Sequence, residues 1–186
     1  MDVSSYVDRI VKAKASMGGN IIRDGSYTFA VRKIAIEPSN KGSQVWFKVE
    51  LYTVESAPVV VDPNLMKPNE VAPVPNSVGS DAVLITDIGA QVGQSNVKAV
   101  FLGLLNKTEN EVDGDPAWLS AQIKRALGAD QPFKGYPIAC STFRKLTKTG
   151  ANANKPFTGY NWKHVPTTPE EIAALRGLLD GQKPTA

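Results

Sequence analysis

"DGSYTFAVRKIAIEPSNKGSQVWFKVELYTV", residues 24–54, reads as two β-strands joined by a turn at Pro38 to Gly42. In the first strand Tyr27, Phe29 and Val31 alternate in one phase, and Ile34 and Ile36 in the other. A one-residue slip turns the buried set to the opposite face, so a bulge or sharp bend is expected near Arg32 and Lys33. A long first strand that bends midway is what a small closed barrel requires. In the second strand Val45, Phe47, Val49 and Leu51 supply one face, and Trp46, Lys48, Glu50 and Tyr52 the other. Two large aromatics beside Lys48 are either platforms for stacked bases or the seat of a covering helix.

Working outward, "SSYVDRIVKAKAS" predicts a short helix with Tyr6, Val7, Ile10 and Val11 on one face, ending before the flexible "MGGN". From Ala57 to Val78 five prolines argue against regular structure, and loops of that length are functional or disordered. "GSDAVLITDIG" is a third strand, and "SNVKAVFLGLLN" a buried helix opened by Ser95 or Asn96. Asp115 as N-cap and Pro116 at the first helical position open a further helix that closes on Gly128. "YPIACSTFRKLTKT" and "GYNWKHV" are the fourth and fifth strands, and a tail helix starts at Thr168 with Glu171 three residues on. The expected organisation is an N-terminal helix and linker (1–19), a mainly β domain (20–166) and a C-terminal helix and tail (167–186). Five strands with helices between the third and fourth is the layout of an OB-fold barrel, although another small α+β domain has the same order.

A chain of 186 residues is long enough to bury one sizeable core. No apolar run approaches the length of a membrane span, and the N-terminus carries no secretory signal pattern. The single cysteine, Cys140, excludes an internal disulfide and points to a reducing compartment. The lone His164 argues against a zinc site, and no cofactor is expected.

Charge is unevenly spread. Glu109, Glu111, Asp113 and Asp115 crowd one segment, whereas no acidic residue stands between Asp130 and Glu170. That acid-free stretch holds Lys134, Arg144, Lys145, Lys148, Lys155 and Lys163 among Phe133, Tyr136, Phe143, Phe157, Tyr160 and Trp162. It is either a solvated hairpin whose aromatics plug a barrel end, or a surface for a polyanion with flat faces, meaning single-stranded nucleic acid. On the second reading Trp46, Lys48 and Tyr52 of strand two and Phe143, Arg144, Lys145 and Lys148 of strand four form one groove. Arg32 and Lys33 flank it, and Lys155 and Phe157 lie on a mobile loop from Gly150 to Thr158 that closes on the bound strand. The phasing of strand four turns Ile138, Cys140 and Thr142 inward and Phe143 and Lys145 outward. Tyr160 is counted with the groove, yet it shares a phase with Trp162, and the pattern leaves core and groove both open for that pair.

"IIRDGSYTFAVRKIAIEPSNKGSQVWFKVELYTVES" resembles the opening of bacteriophage single-stranded DNA-binding proteins of the OB type. "VGSDAVLI", "VKAVFLGLL", "KGYPIACSTFRKLTKTG" and "GYNWKHV" follow in a similar order, so the resemblance covers about residues 20–166. It implies sequence-tolerant coating of single-stranded DNA in replication, recombination or repair, in the cytoplasm of an infected bacterial host. Its implied partners are single-stranded DNA, replication or recombination proteins and further copies of the chain, with no membrane. Many such proteins end in an acidic tail that recruits partners; this sequence ends "LLDGQKPTA", which weighs against that route.

Enzymatic readings have little support. "GAQVGQ" lacks the lysine and third glycine of phosphate-binding fingerprints. Cys140 sits on an apolar phase and reads as a buried structural cysteine rather than a nucleophile paired with His164. "ENEVDGD" misses the calcium-loop spacing and reads as a solvated loop leading to an N-cap. The competing class is a non-enzymatic structural or assembly protein that turns the same barrel's aromatic face to protein. A basic patch running beside aromatics favours nucleic acid, and a dry apolar patch rimmed by both signs favours protein.

Overall fold

A computed structural model describes residues 3–13, 24–38, 44–59, 78–148 and 153–182. In chain order the elements are α1 (Val3–Lys12), β1 (Gly25–Pro38), β2 (Val45–Pro58), β3 (Asp81–Asp87), α2 (Gln91–Leu105), α3 (Glu109–Gly114), α4 (Pro116–Ala126), β4 (Pro137–Leu146), β5 (Pro156–His164) and α5 (Pro169–Gly181). The expected turn after Pro38, "MGGN", most of the proline-rich stretch and the segment from Gly150 to Asn152 lie outside the described residues.

The strands form one antiparallel sheet in the order β3-β2-β1-β4-β5. The hydrophobic phase slip in β1 is resolved where the sequence requires it. Val31 stands opposite Leu51 and Lys33 opposite Glu50, so Arg32 is the extra residue of a bulge. The bulge lets Tyr27, Phe29, Val31 and Ile34 all reach the core. A second irregularity leaves Val54 extra on β2, between the pairs Thr28–Glu55 and Phe29–Thr53. β4 pairs only with residues 25–30 of β1. Beyond them, the Gln131 side chain takes a strand's place, accepting from Ile34 N at 2.7 Å and donating to Ile34 O at 3.1 Å.

The inner face is closed by helices. Val7, Ile10 and Val11 of α1 join the same core as the sheet, so α1 is packed into the domain. α2 touches both edge strands, β3 and β5. Its Gly103 permits that approach, since a Cβ there would stand 3.0 Å from the Trp162 Cβ.

α2 begins at Gln91, ahead of the expected Ser95 or Asn96, with Ala90 as a cap that offers no side chain. Ser95 instead bonds back to the Gln91 carbonyl, and Gln94 donates to the Ile88 carbonyl at 3.0 Å. Local side-chain bonds to the preceding backbone stand where a capping side chain is missing. "ENEVDGD" is likewise a short helix, α3, rather than a solvated loop. Thr108 and Glu111 form a capping box, Val112 is buried, and Asp113 and Glu109 pair with the buried Lys98 at 2.6 and 3.6 Å. The expected caps at Asp115 and Thr168 are present.

Candidate nucleic-acid interface

Each candidate residue falls on one of two faces. Ile138, Cys140, Thr142 and Arg144 are buried along β4, as are Thr158 and Tyr160 along β5, so these point inward. Phe143 and Lys145 point outward, as the phasing predicts. Phe143 faces Gly159 across the ladder, Lys145 faces Phe157, Ser141 faces Asn161 and Ala139 faces Lys163. The outer face of β4–β5 therefore carries Phe143, Lys145, Phe157, Asn161 and Lys163 together.

At that face the two phenyl rings sit diagonally, with Lys145 as the neighbour of both. The Lys145 ammonium lies 4.7 Å from the Phe143 ring centroid, within cation–π range. Phe157 is 40% exposed, a large apolar group held out in water. Beyond the strands the hairpin is tightened by Thr147 N and Oγ1 donating to the Lys155 carbonyl, both at 3.0 Å, and by Asn154 N donating to Thr147 O. Lys148 and Lys155 are exposed on this extension. Phe157 belongs to β5 rather than to a loop, which corrects the loop expected from Gly150 to Thr158.

The rest of the expected groove is not assembled. Trp46 pairs with Glu37, whereas Phe143 lies next to Thr142, the partner of Gly25. The two sets stand at opposite ends of β1, up to about 40 Å apart along the strand at 3.3 Å per residue. α5 lies between them. Tyr52 does face outward, but Leu179 of α5 packs on it and on Ala30, with Leu175 and Val54 alongside. The ring is 9% exposed, and its hydroxyl accepts from Gln182 Nε2 at 3.3 Å. The covering helix weighed for Trp46 and Tyr52 is found over Tyr52, which is not a free stacking platform.

Four more candidates change role. Tyr160 is 2% exposed and stacks inside on Trp162, so it is core. Arg144 is buried and pairs with Asp24, whose Oδ2 also accepts from Arg144 N at 2.7 Å, fastening β4 to the start of β1. Arg32 pairs with Asp81 at 2.8 Å and donates to Gln182 Oε1 at 3.1 Å. Lys48 pairs with Glu37 at 3.2 Å. Lys33 is exposed opposite Glu50, at the far end from Phe143. Trp46 is half-buried among Glu37 and Asp87, an acidic surrounding that repels phosphate. Sequence reasoning passed over Asn161 and Lys163 as site residues. Their signal was the outward phase opposite Tyr160 and Trp162.

Among the described residues no cluster of His, Cys, Asp and Glu is placed to hold a metal ion. Burial raises the pKa of Cys140, so its thiol is held in the unreactive protonated form. No helix among the described residues is long and apolar enough to cross a membrane. Comparison with family models, with curated proteins and with solved structures finds no match to this chain.

Proposed function

We propose that the chain is a non-enzymatic, sequence-tolerant single-stranded DNA-binding protein that holds its ligand on the outer face of β4–β5. The observation that carries this reading is the gathering of Phe143, Phe157 and Lys145 on one exposed face, continued by Lys148, Lys155 and Lys163, in a stretch without any acidic residue. Rings stack on bases for roughly 1–3 kcal/mol each, whatever the base. The lysines release counterions from phosphates. The sheet is read as an OB-type barrel, because its order is that of a five-stranded Greek-key barrel cut between third and fifth strands, with α2 over the cut. The resemblance to phage proteins agrees with this reading and sets its context as replication, recombination or repair in a bacterial host, with replication proteins as further partners.

The test is a titration of poly-dT against duplex DNA at two salt concentrations. Single strands should bind more tightly, with a log–log salt slope of about −0.7 per neutralised phosphate. Equal affinity for duplex, or no salt dependence, overturns the reading.

The opposite end of the sheet supports a second activity, a protein contact. Trp46, Val83 and Ile85 share the outer face of β2–β3 and are rimmed by Glu37, Lys48, Glu50 and Asp87, an apolar patch with both signs around it. If this patch joins copies of the chain, Val83→Asp lowers the mass seen in sedimentation without touching poly-dT affinity. An unchanged mass removes self-association as its role.

A further inference from the structure

A groove of about 570 Å³ runs between β5 and the C-terminal end of α2. Trp162 forms its floor. The indole is half-buried, stacked on Tyr160 at 5.9 Å between ring centroids and tilted against Phe29 at 6.4 Å, so its position is fixed by the core. Leu102 and Gly103 form the helical wall. The mouth carries Asn106, Asn161 and Lys163, and none of these three side chains has a hydrogen bond or ion pair to another described residue. Lys107, also at the rim, is occupied by Glu111 at 2.9 Å.

We propose that this groove takes one base of the strand that the β4–β5 face binds, with a neighbouring phosphate on Lys163. The inference rests on the function proposed above and adds a subsite to it. Continuity is the first argument. Asn161 and Lys163 leave β5 on its outer face in line with Phe157, and Trp162 leaves it on the inner face; β5 is an edge strand, so the groove opens along that edge and all three residues line it. A strand stacked on Phe157 and running along β5 passes over both residues, about 20 Å from Phe157 to Lys163 at 3.3 Å per residue. Chemistry is the second. Two carboxamides, each with donors and an acceptor, suit the mixed edge of a base, and an aromatic floor suits its flat, weakly hydrated body. A purely apolar guest would leave both carboxamides dry and unpaired, and an acidic peptide would find one cation where a base finds three complementary groups. The groove lies within the volume range of small-molecule sites, roughly 300–1,000 Å³.

The experiment uses the full chain carrying Trp46→Phe and Trp118→Phe, which leaves Trp162 as the sole tryptophan. A fluorescein-labelled dT oligomer with 5-bromodeoxyuridine at successive positions is titrated by anisotropy, Trp162 emission is followed in parallel with the unlabelled oligomer, and photocrosslinks are mapped. The expected result is quenching of Trp162 that saturates in step with anisotropy, and a crosslink at Trp162 from one oligomer position. Lys163→Ala and Asn161→Ala should each weaken binding several-fold and reduce the quench at saturation. Phe157→Ala should weaken binding but leave that quench intact. Saturating anisotropy with Trp162 emission unchanged, and crosslinks confined to Phe143 and Phe157, overturns the subsite while leaving the β4–β5 reading in place. Absence of binding removes both.

Discussion

The Cys140 thiol lies on the inward face of β4 opposite Trp162, and its raised pKa follows from burial. It should resist a thiol reagent at pH 8 in the native protein and react only on unfolding; rapid native labelling would show that the β4–β5 ladder opens. Lys98 is an equally buried cation, held by Asp113 and Glu109 of α3. Replacing both carboxylates with Ala strands that charge and should cost about 3 kcal/mol, whereas Lys98→Met leaves a half-buried Glu109 and an exposed Asp113, both reached by water, and should cost far less. Urea melts of the two variants check this ordering. Glu111 carries a pH dependence. The Thr108 backbone N–H above all, then the Lys107 ammonium and the Thr108 hydroxyl, hold its carboxyl at about 2 against an ordinary 4.5. A depressed carboxylate contributes stability above its unfolded pKa and loses it as pH falls through the folded one. The capping of α3 should therefore be complete at neutral pH and fade between about 4.5 and 2, and Glu111→Gln should flatten that acid limb in thermal melts. At this scale the sequence was readable where a residue's role is local. A bulge near Arg32 and Lys33, and Cys140 as a buried thiol, both follow from phase alone. The partners of Arg32 and Arg144, Asp81 and Asp24, lie far off in the chain, and Lys48 is taken by Glu37 of the neighbouring strand; phase reveals none of these pairings.

Among the elements, α5 matters most for the site, because it divides the outer surface of the sheet. Its start was plain from Thr168 and Glu171, but its resting place was not. The available signal was the stripe Ile172, Leu175 and Leu179, an apolar row that needs a seat, and Ala30, a small residue on an outward phase able to provide one. Arg176 secures the helix by donating to the Lys134 and Pro132 carbonyls, both at 2.6 Å, and Lys134 pairs with Asp180. Gly135 makes the close approach possible. It has φ +81°, and a Cβ there would stand 2.6 Å from the Arg176 side chain and 2.8 Å from the Ile172 carbonyl. Gly135→Ala should therefore lift α5, and Leu179→Ala should cost about 2–3 kcal/mol through the cavity it leaves on Tyr52. Hydrogen exchange localises the effect: faster exchange confined to α5 and the Gly135 turn is expected, and a uniform loss of protection would mean that α5 and the sheet unfold as one unit. The start of α2 escaped a reading by caps because Ala90 offers no capping side chain and the first turn is held instead by the Asp87 and Ile88 backbone just before it. α3 did carry a cap signal, Thr108 with Glu111 three residues on, but half of its six residues are acidic and its pairing with Lys98 is a contact between helices that no cap shows.

For the molecule as a whole, the outer surface has two ends of different chemistry, and binding should depend on only one. At the β4–β5 end, Phe143→Ala and Phe157→Ala should each weaken poly-dT binding by roughly 1–3 kcal/mol at every sequence tested, with the salt slope unchanged because no phosphate contact is lost. Lys145→Ala, Lys148→Ala, Lys155→Ala and Lys163→Ala should each lower the slope by about 0.7 and weaken binding modestly, so that a chain with all four replaced loses a slope of about 3. At the β2–β3 end, Trp46→Ala and Lys48→Ala should leave both affinity and slope as they are. Lys48 already neutralises Glu37, and Trp46 is bordered by carboxylates that would meet any phosphate brought to it. Arg144→Ala separates structure from binding: it should lower thermal stability by breaking the tie to Asp24 while the folded fraction binds normally. The decisive comparison is Trp46→Ala against Phe157→Ala in one titration series. Loss of affinity in the first and not the second would move the site to the far end of the sheet, where the strand would have to displace α5 to reach Tyr52.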